Sequence, residues 1–588
     1  MGMVNPAITA SEKALAKMFS AIENNKSFRM EAGAGAGKTY SLIKALKHFI
    51  TNKATSLEKA GQQIACITYT NVAKDEIKER TDNHPLIFTD TIHAFSWSLL
   101  QAFQPMLRET IPTLSDRWAT RIKDAGGLGE QKVIYDLGYP KADAHTIELH
   151  HDDVIKLMAI LLTKPKLQTV IKSKFPILFV DEYQDTNKSL ADSIVKNIVE
   201  NDVGVLVGLF GDHWQKIYGS SACGLVHSSR IIEIGMKANF RSDKDIVACL
   251  NRMRPKLPQN EVDPDSKGEI QVFHSNGWQG SRLTANHWQE DLPASDAHEY
   301  LERVKHQLKQ SGWDFESEYT KVLMLTNNVL ASEQGYRTLA GCFSNTDDYL
   351  KKNNHYIKFF LETIEPMCEY FEKHNYGEMF SIINSKRPQL TSQEDKVVWS
   401  KDFQKLMKIR EESTIREVLE HLESTHHPRL SAKVDQAEKR LNLIKGSQGK
   451  GEVIQEGDLA FAKKMKELGS ISYSEVISLY RYVEDKTPFS TKHGVKGAEF
   501  ENVLIICGRG WNNYNWNQFL EWFKNGAPSN KQEAFERNRN LFYVSCSRAK
   551  KRVALLFTQE LSSTSLQQLE YLFGKENIIG EPLINSNQ

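Results

Sequence analysis

The sequence predicts an α/β fold built on parallel sheets. Short, almost purely apolar runs are bounded by polar or glycine-containing segments, and helical patterns lie between them. A glycine-rich segment, Phe28 to Leu46 (FRMEAGAGAGKTYSLIKAL), runs through Lys38 and Thr39 directly into an apolar helical pattern. Strands buried on both faces read as continuous apolar runs, and their alternation with helices argues for helical layers on parallel sheets.

In chain order the strand candidates are Gln62–Thr70 (QQIACITYT), Phe175–Glu182 (FPILFVDE), Val203–Asp212 (VGVLVGLFGD), Lys321–Asn328 (KVLMLTNN) and Asn502–Gly508 (NVLIICG). They fall into two groups, separated by polar, helix-rich stretches at 98–172 and 341–480. The second stretch carries amphipathic charge patterning, as in KDFQKLMKIREESTIREVLEHLEST. No strong internal repeat is visible. Lys445–Glu452 (KGSQGKGE) imitates a phosphate loop but follows no strand, so it reads as a basic hinge or linker.

A chain of 588 residues is too long for one hydrophobic core, so several domains are expected. With 75 basic and 74 acidic residues no global basic surface announces nucleic acid, and any such surface must come from local clustering. The seven cysteines are dispersed with no C-x-x-C pair, which argues against zinc and iron–sulfur chemistry and fits a reducing cytoplasm. No signal peptide is recognised, and no apolar run approaches the roughly 20 residues a membrane span needs, so a membrane partner is not expected.

The chemistry begins at Ala32, Gly33, Ala34, Gly35, Ala36 and Gly37. Glycine lets a ligand approach the main chain, and a helix N-terminus offers unpaired N–H groups and partial positive charge. Together they form an anion cradle. Lys38 suits the β/γ-phosphates of a nucleoside triphosphate and Thr39 suits a bound Mg²⁺. The strict pattern has glycine where this chain has Ala32. The run ILFVDEYQDT then ends a strand in Asp181 and Glu182. One carboxylate can hold Mg²⁺ through water, and the other can orient or deprotonate an attacking water. GDHWQKIYG places Gln215 at another strand end, within reach of a γ-phosphate. ANFRS offers Arg241 and YVSCSRAKKR offers Arg548, two cations suited to a transferring phosphoryl group.

Taken in order, these motifs resemble the UvrD/Rep-like group of superfamily 1 DNA helicases. The resemblance rests on AGAGAGKT, ITYTNVAKDEIKER (Ile67–Arg80), TIHAF (Thr91–Phe95), VDEYQDT, GDHWQKIY, ANFRS, TKHGVKGAEFENV (Thr491–Val503) and RNLFYVSCSRAKK (Arg539–Lys551), and covers nearly the whole chain. It implies a P-loop NTPase with two RecA-like lobes and two mainly helical insertions: 1A over 1–97 and 173–230, 1B over 98–172, 2A over 231–340 and 481–588, and 2B over 341–480. It implies ATP and Mg²⁺, with Thr39 and Asp181 at the metal. Glu182 would be the catalytic base, and Gln215, Arg241 and Arg548 would sense and stabilise the γ-phosphate. Phe240 would stack on adenine, and Glu499 would touch the ribose. Thr68, Thr70, Asn71, His93, Phe95, His493 and Lys496 match DNA-contact positions, where phosphate contacts and base stacking hold a strand without reading it. Asn71 and His93 have a competing reading as local loop caps.

What the resemblance implies is an ATP-dependent motor that moves 3′→5′ on single-stranded DNA and unwinds tailed duplex, in repair or in antiphage defence. Departures qualify the details. Ser11 and Glu12 stand where the family has an adenine-reading Gln. GSSACG follows QKIY where the family has a stacking S-W-R-G-A segment, although Trp214 and Tyr218 are near. These features resemble compact members that accompany OLD-type nucleases in Gabija-type antiphage systems. They keep open a second reading, a DNA-sensing ATPase that gates a partner nuclease and unwinds little.

Overall fold

The computed structural model describes residues 5–135, 140–217, 221–285, 288–324, 334–383, 392–449, 455–484, 487, 489–491, 498–508 and 514–582. In chain order the strands are β1 (Phe28–Ala32), β2 (Ile64–Thr68), β3 (Ile87–Thr91), β4 (Lys132–Tyr135), β5 (Lys141–Ala142), β6 (Thr146–Leu149), β7 (Ile177–Asp181), β8 (Leu206–Gly211), β9 (Ile232–Met236), β10 (Glu269–His274), β11 (Thr320–Met324), β12 (Phe489–Thr491), β13 (Phe500–Cys507), β14 (Ala549–Phe557) and β15 (Ile578–Gly580). All five apolar runs contain strands, β2, β7, β8, β11 and β13, with residues 325–328 of the fourth run lying outside the described residues.

Two six-stranded sheets organise the molecule. The first has the order β3-β2-β7-β8-β1-β9 and the second β12-β11-β13-β14-β10-β15. Every pairing in both is parallel. β1, β2, β7 and β8 are buried along their whole length, because helices cover both faces. One face of the first sheet packs under helices Pro6–Glu23 and Lys38–Lys59, around Phe28, Phe49, Phe179 and Phe210. In the second sheet, Val503, Ile505 and Leu555 face helices Lys244–Met253 and Gln532–Cys546. Val322, Leu504 and Leu556 face helix Ala294–Gln310.

The α/β expectation with two parallel-sheet lobes holds, with three corrections. The expected boundary at residue 230 falls before β9, yet β9 pairs in parallel with β1 from Phe28↔Ile232 to Ala32↔Met236, so the first sheet reaches Met236. The stretch 98–172 also carries a small sheet, β4-β6-β5. Its Val133, Ile147 and Leu149 share one continuous core with β2, β7 and β8, so it is not a separately cored insertion. Finally, Lys445–Gly449 closes helix Ala432–Gly449 instead of forming a linker, and the rest of that segment up to residue 452 lies outside the described residues.

Among the described residues, the stretch between β11 and β12 is helical and has its own core, from Tyr336 to Tyr480. The charge-patterned run inside it folds as helices Gln393–Glu412 and Ile415–Thr425, broken where Thr414 begins a capping box with Glu417.

Candidate active site between the two sheets

The first sheet delivers its chemistry at the carboxyl ends of three adjacent strands, β7, β8 and β1. Such ends are where α/β sheets place ligands. After β1 the chain makes a tight turn and enters helix Lys38–Lys59 through Gly37 in the left-handed conformation (φ 79°). Gly35 is also left-handed (φ +69°), and a Cβ there would lie 2.7 Å from Arg241 Cβ. Both positions therefore need glycine. Ala32 does not: it is the last residue of β1, in ordinary strand conformation, so alanine fits where the strict motif has glycine.

Lys38 Nζ is 3.0 Å from Glu182 and 3.3 Å from Gln215 Oε1. Asp181 ends β7 and is buried. Glu182 follows it with φ 48°, a left-handed backbone that costs a non-glycine residue about 1–2 kcal/mol. The turn aims its carboxylate at Lys38. Gln215 is buried on a short 3₁₀ turn after β8 and donates to Asp212 Oδ2 at 2.9 Å.

The second sheet meets this edge from the other side with residues that precede its strands and helices. Phe240 N donates to Gly35 O at 2.8 Å, which locks the segment 238–242 against the glycine turn. Arg241 Nε pairs with Glu499 at 2.9 Å, and its Nη1 donates to Ser547 O at 2.9 Å. Glu499 also pairs with Lys550 at 2.8 Å. Burial pushes the Glu499 carboxyl up, but hydrogen bonds from Lys550 and Arg241 outweigh it and hold it below the usual range. Arg548 is buried and donates to Val544 O and Ala498 O. Burial pushes its guanidinium down to about 9, and the neighbouring Arg241 charge adds to this.

These residues surround one cleft of about 840 Å³, lined by Gly33–Tyr40, Asp181, Glu182, Gln215, Phe240, Arg241, Glu499 and Arg548. That volume suits a nucleotide. The glycine turn and helix N-terminus fit phosphates, and Thr39 with Asp181 supplies the oxygen donors that Mg²⁺ prefers. Phe240 is 44% exposed and its ring lies 3.8 Å from a Cβ built on Gly37, so one aromatic face is open beside the turn. Tyr40, absent from the expected site residues, lines the same cleft at 48% exposure, and its place directly after Lys38-Thr39 is the sequence signal for it. Ser11 is buried in helix Pro6–Glu23 and Glu12 is exposed there; neither lines the cleft.

The residues expected at DNA fare unevenly. Thr70 caps helix Asn71–Arg80 by accepting from Ala73 N, and Thr91 caps the next helix, Ile92–Leu100. Asn71 and His93 are therefore not the caps. Asn71 is exposed at a helix start. His93 stacks edge-on against His151 at 4.8 Å, and burial together with the His151 charge lowers its pKa. Thr68 is 1% exposed and donates to Thr70 O. Phe95 is 3% exposed and packs on Phe88 and Phe175. That burial corrects the expectation that Phe95 offers a stacking face. His493, Lys496 and Tyr218 lie outside the described residues. Trp214 lies against Tyr543 and under Arg539, so its ring serves the contact between lobes.

Comparison with known proteins places the chain among helicase-related sequences. A family model described as an AAA domain matches residues 16–221, and one described as the UvrD-like helicase C-terminal domain matches 342–560. The Gabija protein GajB of Bacillus cereus (strain HuB5-5) is 24% identical over 701 aligned positions, spanning 96% of this chain and 97% of the relative. The ATP-dependent DNA helicase Rep of Escherichia coli is 28% identical over 275 positions, spanning 37% of this chain and 40% of Rep. The ATP-dependent DNA helicase PcrA of Staphylococcus aureus is 25% identical over 333 positions, spanning 47% of this chain and 43% of PcrA.

Proposed function

As the chain belongs to the UvrD-like helicases of superfamily 1, we propose that it is an ATP hydrolase that moves 3′→5′ on single-stranded DNA and separates duplex. The observation that carries this is the cleft itself. Lys38, Glu182 and Gln215 come from one sheet, and Arg241, Arg548 and Glu499 from the other, around a single volume. A site shared by two lobes changes shape as phosphate charge arrives and leaves, and that is the requirement for a ratchet.

In this reading the glycine turn and Lys38 bind the phosphates. Thr39 and Asp181 would hold Mg²⁺, which when bound would offset phosphate charge. Phosphate competes with Glu182 for Lys38, which releases the carboxylate to accept a proton from the attacking water. Arg241 and Arg548 neutralise charge on the transferring group. Phe240 stacks on the base and Glu499 accepts from the ribose. The two sheets correspond to lobes 1A and 2A, 98–172 to 1B, and the helical stretch between β11 and β12 to 2B. Thr70, Asn71 and His93 on the first lobe, with His493 and Lys496, contact the strand.

The test is ATP hydrolysis by the purified chain with and without single-stranded DNA, beside Lys38→Ala, followed by a 3′-tailed duplex. Strong DNA stimulation that is lost in the variant, together with strand separation, supports the motor.

A second reading is favoured by the likeness to a Gabija protein along almost the whole chain. The same cleft would act as a switch that gates a partner nuclease of OLD type in antiphage defence, with little unwinding. Hydrolysis that is independent of DNA, or absent until such a nuclease is added, would select it. Among the described residues no helix is long and apolar enough to cross a membrane.

A further inference from the structure

Behind the cleft, β1 and β8 end in two carboxylates that the roles above leave unused. Glu31 is the penultimate residue of β1 and Asp212 follows β8, and the register Glu31↔Gly211 sets them side by side. Asp212 is 0% exposed and Glu31 8%. One guanidinium from the second lobe takes both: Arg254 Nη1 lies 2.7 Å from Asp212 Oδ1, and Nη2 lies 3.1 Å from Glu31 Oε1. Arg254 caps helix Lys244–Met253, whose Ile246, Cys249, Leu250 and Met253 belong to the second lobe's core. It lies over the rings of Trp214, at 5.2 Å, and Tyr543, at 5.8 Å.

Asp212 is one bond from a reacting group, and Glu31 is one bond from the residue beside another. Asp212 Oδ2 accepts from Gln215, and Gln215 Oε1 accepts from Lys38. Glu31 accepts from the hydroxyl of Tyr183, the residue after Glu182, at 2.7 Å and from His213 N at 3.0 Å. Asn540, on helix Gln532–Cys546, donates to His213 O and Lys216 O, both at 3.1 Å. Here a rigid fork spans two strand ends, each leading into the cleft.

We propose that Arg254 is a positioning residue that links the γ-phosphate-facing Gln215, through Asp212, to the second lobe, so that the state of the cleft sets how that lobe sits. The proposal rests on reading the cleft as an ATP site. It assigns Arg254 no contact with substrate.

The experiment compares the full chain with Arg254→Lys, which keeps the charge and loses the fork. ATP kcat and KM are measured, with thermal unfolding as the folding control. In parallel the 10 tryptophans are replaced by 5-fluorotryptophan, Trp214 is assigned through Trp214→Phe, and its ¹⁹F resonance is followed with ADP and with a non-hydrolysable ATP analogue. The expected result is a kcat lowered about tenfold or more with KM within about twofold, the pattern of a lost transition-state arrangement. A Trp214 resonance that differs between the two nucleotides in the parent, and no longer differs in Arg254→Lys, completes the expectation. If Arg254→Lys does not fold, Arg254→Gln combined with Asp212→Asn removes both charges and takes the same readouts. A folded variant that keeps the parent's kcat and its nucleotide-dependent resonance overturns the proposal. A parent that binds the analogue and shifts Trp214 but hydrolyses nothing counts against the motor reading while supporting the link.

Discussion

The two sheets meet the same cleft with opposite ends. The first presents carboxyl ends: the glycine turn after β1, Asp181 and Glu182 at the end of β7, and Gln215 after β8. The second presents amino ends, with Glu499 just before β13 and Arg548 just before β14. A carboxyl edge leads into helix N-termini, where unpaired N–H groups favour anions and side chains can do acid–base work. Among the described residues the amino edge shows no such cradle, and it contributes charge through long side chains anchored in its own core. Lys38 and Glu182 are therefore partly open, while Arg548 is buried with its fork tied to backbone carbonyls. In the proposed reading one edge binds and reacts, and the other stabilises charge and reports position.

Four substitutions test that division, from the largest expected effect to the smallest. Arg548→Lys keeps a cation at the amino edge but loses the guanidinium geometry, and kcat should fall by about 10³-fold or more, as when an arginine finger is removed. Parent-like turnover would show that geometry at this edge is irrelevant. Glu182→Gln, at the carboxyl edge, should lower kcat by about 10²–10⁴-fold, the worth of a general base, with nucleotide binding retained in a fluorescence titration. Loss of binding together with turnover would move Glu182 from reaction to binding. Phe240→Ala should raise the ATP KM by roughly 2–10-fold, the cost of a lost stacking face, with kcat little changed. An unchanged KM would leave the base to Tyr40.

The smallest effect concerns pH. Burial pushes the Glu31 carboxyl up, but hydrogen bonds and charge from His213, with Tyr183 and Arg254, more than reverse this and hold it far below the ordinary glutamate value of 4.5. A carboxyl depressed in the folded state stabilises above its unfolded pKa, and the gain is lost as pH falls towards the folded one. Glu31→Gln should therefore melt below the parent near neutrality, with the gap narrowing once the pH drops below 4.5. A constant gap in calorimetry across that range would mean that Glu31 contributes by shape and not by charge.

Much of this was legible in the sequence, for a physical reason. β2, β7, β8, β11 and β13 are buried on both faces and so read as unbroken apolar runs. The site motifs were legible because phosphate chemistry restricts residue types at fixed offsets. What was missed depends on distant partners. β1 carries Arg29 and Glu31, whose burial makes sense only beside Glu233 and Arg254. β9 alternates as an edge strand and carries the exposed Ile232 and Glu233, so it looked like a boundary. Phe95 was read through its motif, although Ile92, Phe95 and Leu99 mark the buried stripe of one helix. Local periodicity was the better guide there.

The helical stretch between β11 and β12 occupies a telling slot. These two strands are neighbours and run parallel, from Val322↔Phe489 to Met324↔Thr491. A parallel pair always needs a crossover of about a dozen residues or more, and a single helix usually supplies it. Here an entire separately cored helical body stands in for that one helix. Topologically the slot is a socket: any body whose two ends reach these neighbouring strand ends closes the same crossover, so its size is not fixed by the strand register on either side.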